Sequence, residues 1–155
     1  MMGRRLLVAV IGGHECDSRV EALAEEIGGI IARAGAVLVC GGLGGIMEAA
    51  SRGAKSSDGY TVGIIPGEDK SSANKFIDIV ITTGMGYSRN VIVAGTADLV
   101  VALPGEYGTL SEIGIALNAK KPVYGFGTWD LPGVEKLASP EELKKILREH
   151  MKERQ

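Results

Sequence analysis

The sequence predicts an α/β fold: a doubly wound, mostly parallel sheet of about six or seven strands with helices on both faces. Apolar, β-rich runs alternate with segments of helical spacing, the pattern of strands joined by crossover helices. Most of those runs are continuous rather than alternating apolar and polar, as strands covered on both faces require. There are also 23 glycines among 155 residues, well above the average usage of roughly 7%. They stand at the ends of the apolar runs, where they mark tight turns and backbone-lined loops.

Taken in order, the predicted strands are Leu6–Ile11, Ala36–Cys40, Tyr60–Ile65, Ile77–Thr82, Asp98–Leu103 and Pro122–Phe126. Between the first two, Ser18-Arg19-Val20-Glu21 reads as a capping box. Val20, Leu23, Ala24, Ile27, Ile30, Ile31 and Ala34 then recur at helical spacing, and Gly35 ends the helix in the left-handed conformation. Gly28 and Gly29 each weaken that helix by about 1 kcal/mol relative to alanine, which implies close packing there. Pro66–Lys75 is polar and aperiodic, hence a loop, either a lid over a ligand or a plain surface connection. A short helix follows Ser88, its expected cap. Thr109-Leu110-Ser111-Glu112 is a second capping box. The last helix opens at Ser139-Pro140-Glu141-Glu142, with a cap, proline in the first turn and acid near the positive end, and runs into a charged tail, Arg148–Gln155, expected to fray.

Composition sets outer limits. With 45% hydrophobic residues, the chain reads as one domain spanning 1–155, folded without a metal or disulfide staple. The 17 basic and 19 acidic residues give a formal charge of −2, which argues against a nucleic-acid partner gripped by a broad basic face. Aromatic residues make up 5%, too few for an extended base-stacking surface. No run approaches the roughly 18 apolar residues of a membrane span. The apolar start lacks the cleavage site of a secretory signal. Two cysteines in that setting point to a reducing cytoplasm.

The chemistry lies just after two of the strands. Val37–Cys40 leads into Gly41-Gly42-Leu43-Gly44-Gly45-Ile46-Met47-Glu48, and Val100–Leu103 leads into Pro104-Gly105-Glu106-Tyr107-Gly108-Thr109-Leu110-Ser111-Glu112. Both contain G-x-x-G-x-x-x-E between a buried strand and a helix. The first amides of a helix lack internal acceptors and sit at its positive end. Glycine lets the backbone turn and leaves room for a ligand, so a phosphate or other anion is the expected occupant. In an open α/β sheet both loops emerge at the carboxyl edge, and two of them suit a ligand with a phosphate and a second polar portion. The plainer alternative is that the glycines only turn the chain and Glu112 only caps its own helix. Neither loop is a Walker motif or a G-x-G-x-x-G fingerprint, which argues against an ATPase and a dehydrogenase.

A third segment, Thr83-Gly84-Met85-Gly86-Tyr87-Ser88-Arg89-Asn90, offers Arg89 as a fixed cation for a phosphate or carboxylate. His14 follows Gly12-Gly13 at the end of the first strand, either lining the crevice or exposed on a loop. Cys16 and Cys40, near the ends of neighbouring strands, suit a disulfide, a soft metal or a ligand contact, or are ordinary free thiols. They fall short of a zinc site's four ligands, and no metal site is expected. Trp129 and Tyr124 read as core or subunit-contact residues.

Together the three segments resemble the Lonely Guy-like (SLOG) superfamily, a Rossmann-type group often mislabelled as lysine decarboxylases. The likeness extends from Val8 to Phe126. In its cytokinin-activating branch, which releases ribose 5-phosphate from nucleoside monophosphates, the matching signatures are GGG-x-x-G, M-x-x-R-K and P-G-G-x-G-T-x-x-E. The resemblance implies that Gly41, Gly42, Gly44, Gly45, Gly105, Gly108 and Thr109 hold the phosphate, with Gly12 and Pro104 beside the ligand. Arg89, itself a ligand contact, and Glu112 would form the catalytic pair if turnover occurs.

Three positions depart from those signatures: Asn90 replaces lysine, Glu106 replaces the second glycine of P-G-G, and Ser111 replaces the first of two acids. A carboxylate at Glu106 repels a phosphate unless it turns outward or meets a metal or arginine. The Arg89-Asn90 pair, the A-D-L-V-V-A-L-P-G run from Ala97 to Gly105 and the T-L-S-E ending at Glu112 look closer to the branch containing molybdenum cofactor carrier proteins. The expected function is therefore binding of a nucleotide such as AMP or of a molybdopterin-type cofactor, without chemistry. The alternative is a phosphoribohydrolase acting on nucleoside monophosphates; a lysine decarboxylase fits poorly. A mean hydropathy of +0.15 and the habit of relatives imply a homo-oligomer, a dimer or tetramer.

Overall fold

The computed structural model describes residues 3–155. In chain order the elements are β1 (Leu7–Ile11), α1 (Ser18–Arg33), β2 (Val37–Cys40), α2 (Ile46–Ser56), β3 (Tyr60–Ile65), β4 (Ile79–Thr82), α3 (Asn90–Thr96), β5 (Leu99–Ala102), α4 (Tyr107–Asn118), β6 (Val123–Gly125), β7 (Val134–Lys136) and α5 (Pro140–Glu153). Two 3-10 turns, Lys70–Ser72 and Gly86–Arg89, complete the set.

The seven strands form one sheet in the order β4-β3-β2-β1-β5-β6-β7, every neighbouring pair parallel. The chain winds outward from β1 to β4, then crosses back to β5 on the other side of β1. Its direction therefore reverses between β1 and β5, the place where an open α/β sheet leaves a crevice at its carboxyl edge.

Alternation along each strand divides the core in two. Val8 and Val10 join Leu38, Cys40, Leu99 and Val101 beneath α1, α2 and α5. Ala9 and Ile11 join Val39, Val100 and Ala102 beneath α3 and α4. The α1–α2 crossing explains two of the helix glycines. A Cβ on Gly28 would lie 1.9 Å from the Ala50 carbonyl oxygen, and one on Gly53 would lie 1.8 Å from that of Glu25. Backbone meets backbone there. Gly29 faces the Arg33 and Ser57 side chains instead.

Several local expectations are corrected. The cap of α1 is Asp17, whose carboxylate accepts the Val20 amide at 2.8 Å, so Ser18 is already helical and Glu21 is free to pair with Arg52. Gly35 does take positive φ, at 81°. Ser88 lies inside a 3-10 turn rather than capping α3. Ser139 stands at the start of α5 without a side-chain cap bond; Glu142 accepts the Ala138 amide instead. The tail does not fray at Arg148: α5 runs to Glu153, and Arg154 is pinned to Asp98 at 2.8 Å and to the Arg4 carbonyl. β7 is a strand that none of the six apolar runs marked out.

Candidate functional site

A cleft of about 910 Å³ opens at the reversal between β1 and β5. Gly12 and His14 from the end of β1, and Gly41 from the end of β2, line one part of it. Pro104, Gly105, Gly108 and Thr109 line another, at the start of α4, and Arg89 and Glu112 project into it. Nine of the positions singled out in the sequence therefore line one cleft. Gly42, Gly44 and Gly45 are not among them.

The reason is a long-range contact that sequence spacing does not encode. Gly13 sits between the two glycine loops, donating its amide to the Pro104 carbonyl at 2.9 Å and accepting the Ile46 amide at 3.1 Å. Its carbonyl thus occupies the first amide of α2. A Cβ on Gly45 would strike the His14 backbone at 2.3 Å. Gly42 donates to Cys40 Sγ, accepts from the Asn74 amide and rests against Gly63. The first loop is chiefly a packing device, and of its glycines only Gly41 reaches the cleft.

The second loop is built differently. The Leu110 amide bonds the Glu106 carbonyl, but the Gly108 and Thr109 amides have no internal acceptor among the described residues and lie at the positive end of α4. Gly105 is needed because a Cβ there would fall 2.0 Å from Thr109 Oγ1. α4 starts at Tyr107, two residues before Thr109, so the expected capping box does not form and Glu112 stands in the second turn, facing the cleft. Glu48, its counterpart in the first loop, lines a separate cavity of about 300 Å³ with Glu21, Cys16 and Arg52.

Arg89 and Glu112 are both only 8% exposed. Arg89 Nε donates to the Ile64 carbonyl at 2.9 Å, and Nη2 to that of Gly41 at 3.4 Å. A Cβ on Gly41 would come within 2.6 Å of Nη2, so glycine is what lets the guanidinium lie there. Burial lowers the Arg89 pKa, partly offset by Glu112. Burial raises that of Glu112 to about 7, with Arg89 opposing. The carboxyl therefore keeps its proton well above the ordinary carboxylate range.

Two of the departures from the resemblance touch each other. Asn90 Oδ1 accepts from Arg89 Nη1, and Asn90 Nδ2 donates to Ser111 Oγ at 3.4 Å. Where the signature carries a lysine and an acid, this chain has a neutral amide and hydroxyl in contact, so the change is a matched one. Glu106, the third departure, is exposed at the start of α4 and lines the cleft.

Other candidates resolve simply. Cys16 and Cys40 are both free; Cys40 is buried against Ser51. Tyr124 is buried in the core. Trp129 supports the second loop, its indole N–H donating to the Gly105 and Glu106 carbonyls. Pro66–Lys75 does not line the cleft; Asn74 ties it to the first glycine loop. The described residues contain no cluster suited to a metal ion and no helix long and apolar enough to cross a membrane. Sequence reading overlooked Tyr87 and Tyr107, which also line the cleft; each stands beside a glycine of a ligand-facing loop, the one available signal.

A seven-stranded parallel sheet with a deep cleft at its switch point, and a buried Arg–Glu pair within it, defines a Rossmann-like α/β protein. The chain belongs to the SLOG cluster4 family, whose model matches residues 5–154. A molybdenum cofactor binding protein from the phototrophic bacterium Rippkaea orientalis has a similar structure: TM-score 0.86, 33% identity, covering 96% of this chain and 98% of that one. The molybdenum cofactor carrier protein of Chlamydomonas reinhardtii is similar at TM-score 0.86 and 30% identity, over 96% and 99%. An uncharacterized Archaeoglobus fulgidus protein is 47% identical over 75% of this chain and 76% of its own. A cytokinin riboside 5'-monophosphate phosphoribohydrolase of Mycobacterium tuberculosis is 37% identical over 59% of this chain, a match spanning 50% of the enzyme.

Proposed function

We propose that this protein binds a nucleotide or another phosphate-bearing cofactor of the molybdenum cofactor type, as a carrier rather than a catalyst. The observation that carries the reading is the start of α4, where Gly108 and Thr109, whose amides have no internal acceptor among the described residues, line the cleft with the buried Arg89. An anion placed there gains unpaired helix-end donors and a fixed cation together. Gly105 and Pro104 shape the loop, while Gly12 makes room for Ile46 and Gly41 for the Arg89 guanidinium. Similarity to proteins named for molybdenum cofactor binding and carriage supports the same reading. We place it in the cytoplasm, on its two free thiols, as a homo-oligomer of two or four chains. A calorimetric screen with AMP, ADP-ribose, NAD and a molybdopterin source tests the function. Binding of at least one phosphorylated ligand, lost in Arg89→Ala, is expected; heats at baseline for all of them would overturn it.

One observation favours a second reading, hydrolysis of nucleoside monophosphates. Glu112 is buried in the same cleft with its pKa near neutrality, where a carboxyl serves as acid or base, and the match to a phosphoribohydrolase agrees. Release of free base from AMP, abolished in Glu112→Ala, would establish it. Inactivity at high protein concentration would leave the carrier reading alone.

A further inference from the structure

The cleft is much larger than a phosphate, and its walls are not uniform. Arg89, Glu112 and Thr109 form a buried polar end. Away from it, Val91 and Ile115 line an apolar stretch between α3 and α4. Two tyrosines, Tyr87 and Tyr107, line the same cleft. Tyr87 is 89% exposed and Tyr107 79%, the most exposed large apolar side chains described. They belong to different elements that meet where Asn90 approaches Ser111. Tyr107 has Trp129 beside it, with ring centroids 6.2 Å apart and planes inclined by 30°. The Trp129 indole is in turn fixed by hydrogen bonds to the loop that begins α4. One tyrosine is therefore backed by a second, anchored ring.

Exposing two aromatic rings to water is unfavourable unless something covers them. Their position, next to an anion-binding helix end and along an apolar groove, selects the cover. Resting on the function proposed above, we infer that Tyr87 and Tyr107 form a ring-binding subsite for the planar heteroaromatic portion of the phosphate-bearing ligand. The phosphate lies on the Gly108 and Thr109 amides and the purine- or pterin-like ring stacks on the tyrosines. Stacking tolerates different rings because each has a π face, so the subsite selects ring-bearing phosphates over bare ones without fixing one ring system. Glu106, on the same rim, disfavours a second anionic group at the ring end.

The test compares AMP, ribose 5-phosphate and inorganic phosphate on the full chain, by calorimetry and by fluorescence of Trp129, the sole tryptophan. AMP is expected to bind more tightly than ribose 5-phosphate and to change Trp129 emission. Tyr87→Ala and Tyr107→Ala should each weaken AMP by about tenfold while leaving ribose 5-phosphate unchanged; Tyr→Phe at either position should retain the AMP affinity. If AMP and ribose 5-phosphate bind alike and both alanine variants are neutral, the subsite is refuted and the anion site stands. If no phosphate compound binds, both fail. If the alanine variants instead convert a larger assembly to monomers with AMP affinity intact, the tyrosines cover a subunit contact and the inference is overturned.

Discussion

At the residue scale, the cleft turns on single atoms placed where a side chain would interfere. Gly41 permits the Arg89 guanidinium to lie against the first loop. Gly41→Ala should therefore weaken AMP binding severalfold although no charge is lost, because the cation must shift; calorimetry beside Arg89→Ala tests it, and unchanged affinity would contradict the positioning role. Glu112 makes a different prediction. Its folded pKa, about 7 against an ordinary 4.5, means the folded chain holds this proton more tightly than the unfolded chain. That stability is complete below about pH 4.5 and is lost as pH rises through about 7. Glu112→Gln should then be more stable than the parent near pH 8, by up to about 3 kcal/mol, less what Arg89 loses with its counter-charge. The gap should narrow strongly by pH 5, as read by urea unfolding; an equal offset at both pH values would be contrary. The second glycine loop stood out by residue type and spacing, whereas the coupling of Arg89 with Glu112 came from the resemblance to the SLOG superfamily. The roles of Gly42, Gly44 and Gly45 were not legible, since two loops of identical spacing diverge only when the Gly13 carbonyl takes the Ile46 amide.

At the scale of elements, strand order and helix packing explain why the cleft exists. The six apolar runs located six strands within a residue or two: five are largely buried and leave an apolar record, while the edge strand β4 is apolar although mostly exposed. β7 left none: three residues, Val134–Lys136, with two exposed, carry no usable period. Helix starts were less legible, as several polar residues compete for the same cap and only geometry selects Asp17 over Ser18. The α1–α2 crossing carries the clearest element-level prediction. Gly28→Ala would normally favour a helix by about 1 kcal/mol, yet here the new methyl meets the Ala50 carbonyl. Net destabilisation of about 1–3 kcal/mol is expected in denaturant melts, and a stabilised variant would show that the two helices are not in backbone contact.

At the scale of the whole molecule, the parallel sheet sets β1 and β5 side by side, and the remaining features of the cleft follow from that reversal. Apolar side chains remain exposed elsewhere, Ile79 and Ile81 on the edge strand β4 among them. Sedimentation velocity is accordingly expected to show two or four chains, and Ile81→Lys to shift the distribution toward monomer if that edge is covered. A monomeric parent at high concentration would contradict the assembly.

A phosphate seated at the start of α4 with its attached ring on the tyrosines is the arrangement on which the function turns. A crystal structure at saturating AMP examines both at once. Phosphate oxygens are expected within hydrogen-bond distance of the Gly108 and Thr109 amides, with Arg89 facing them and the adenine against Tyr87 or Tyr107. Phosphate bound elsewhere, or a cleft empty of AMP at saturation, would contradict that arrangement.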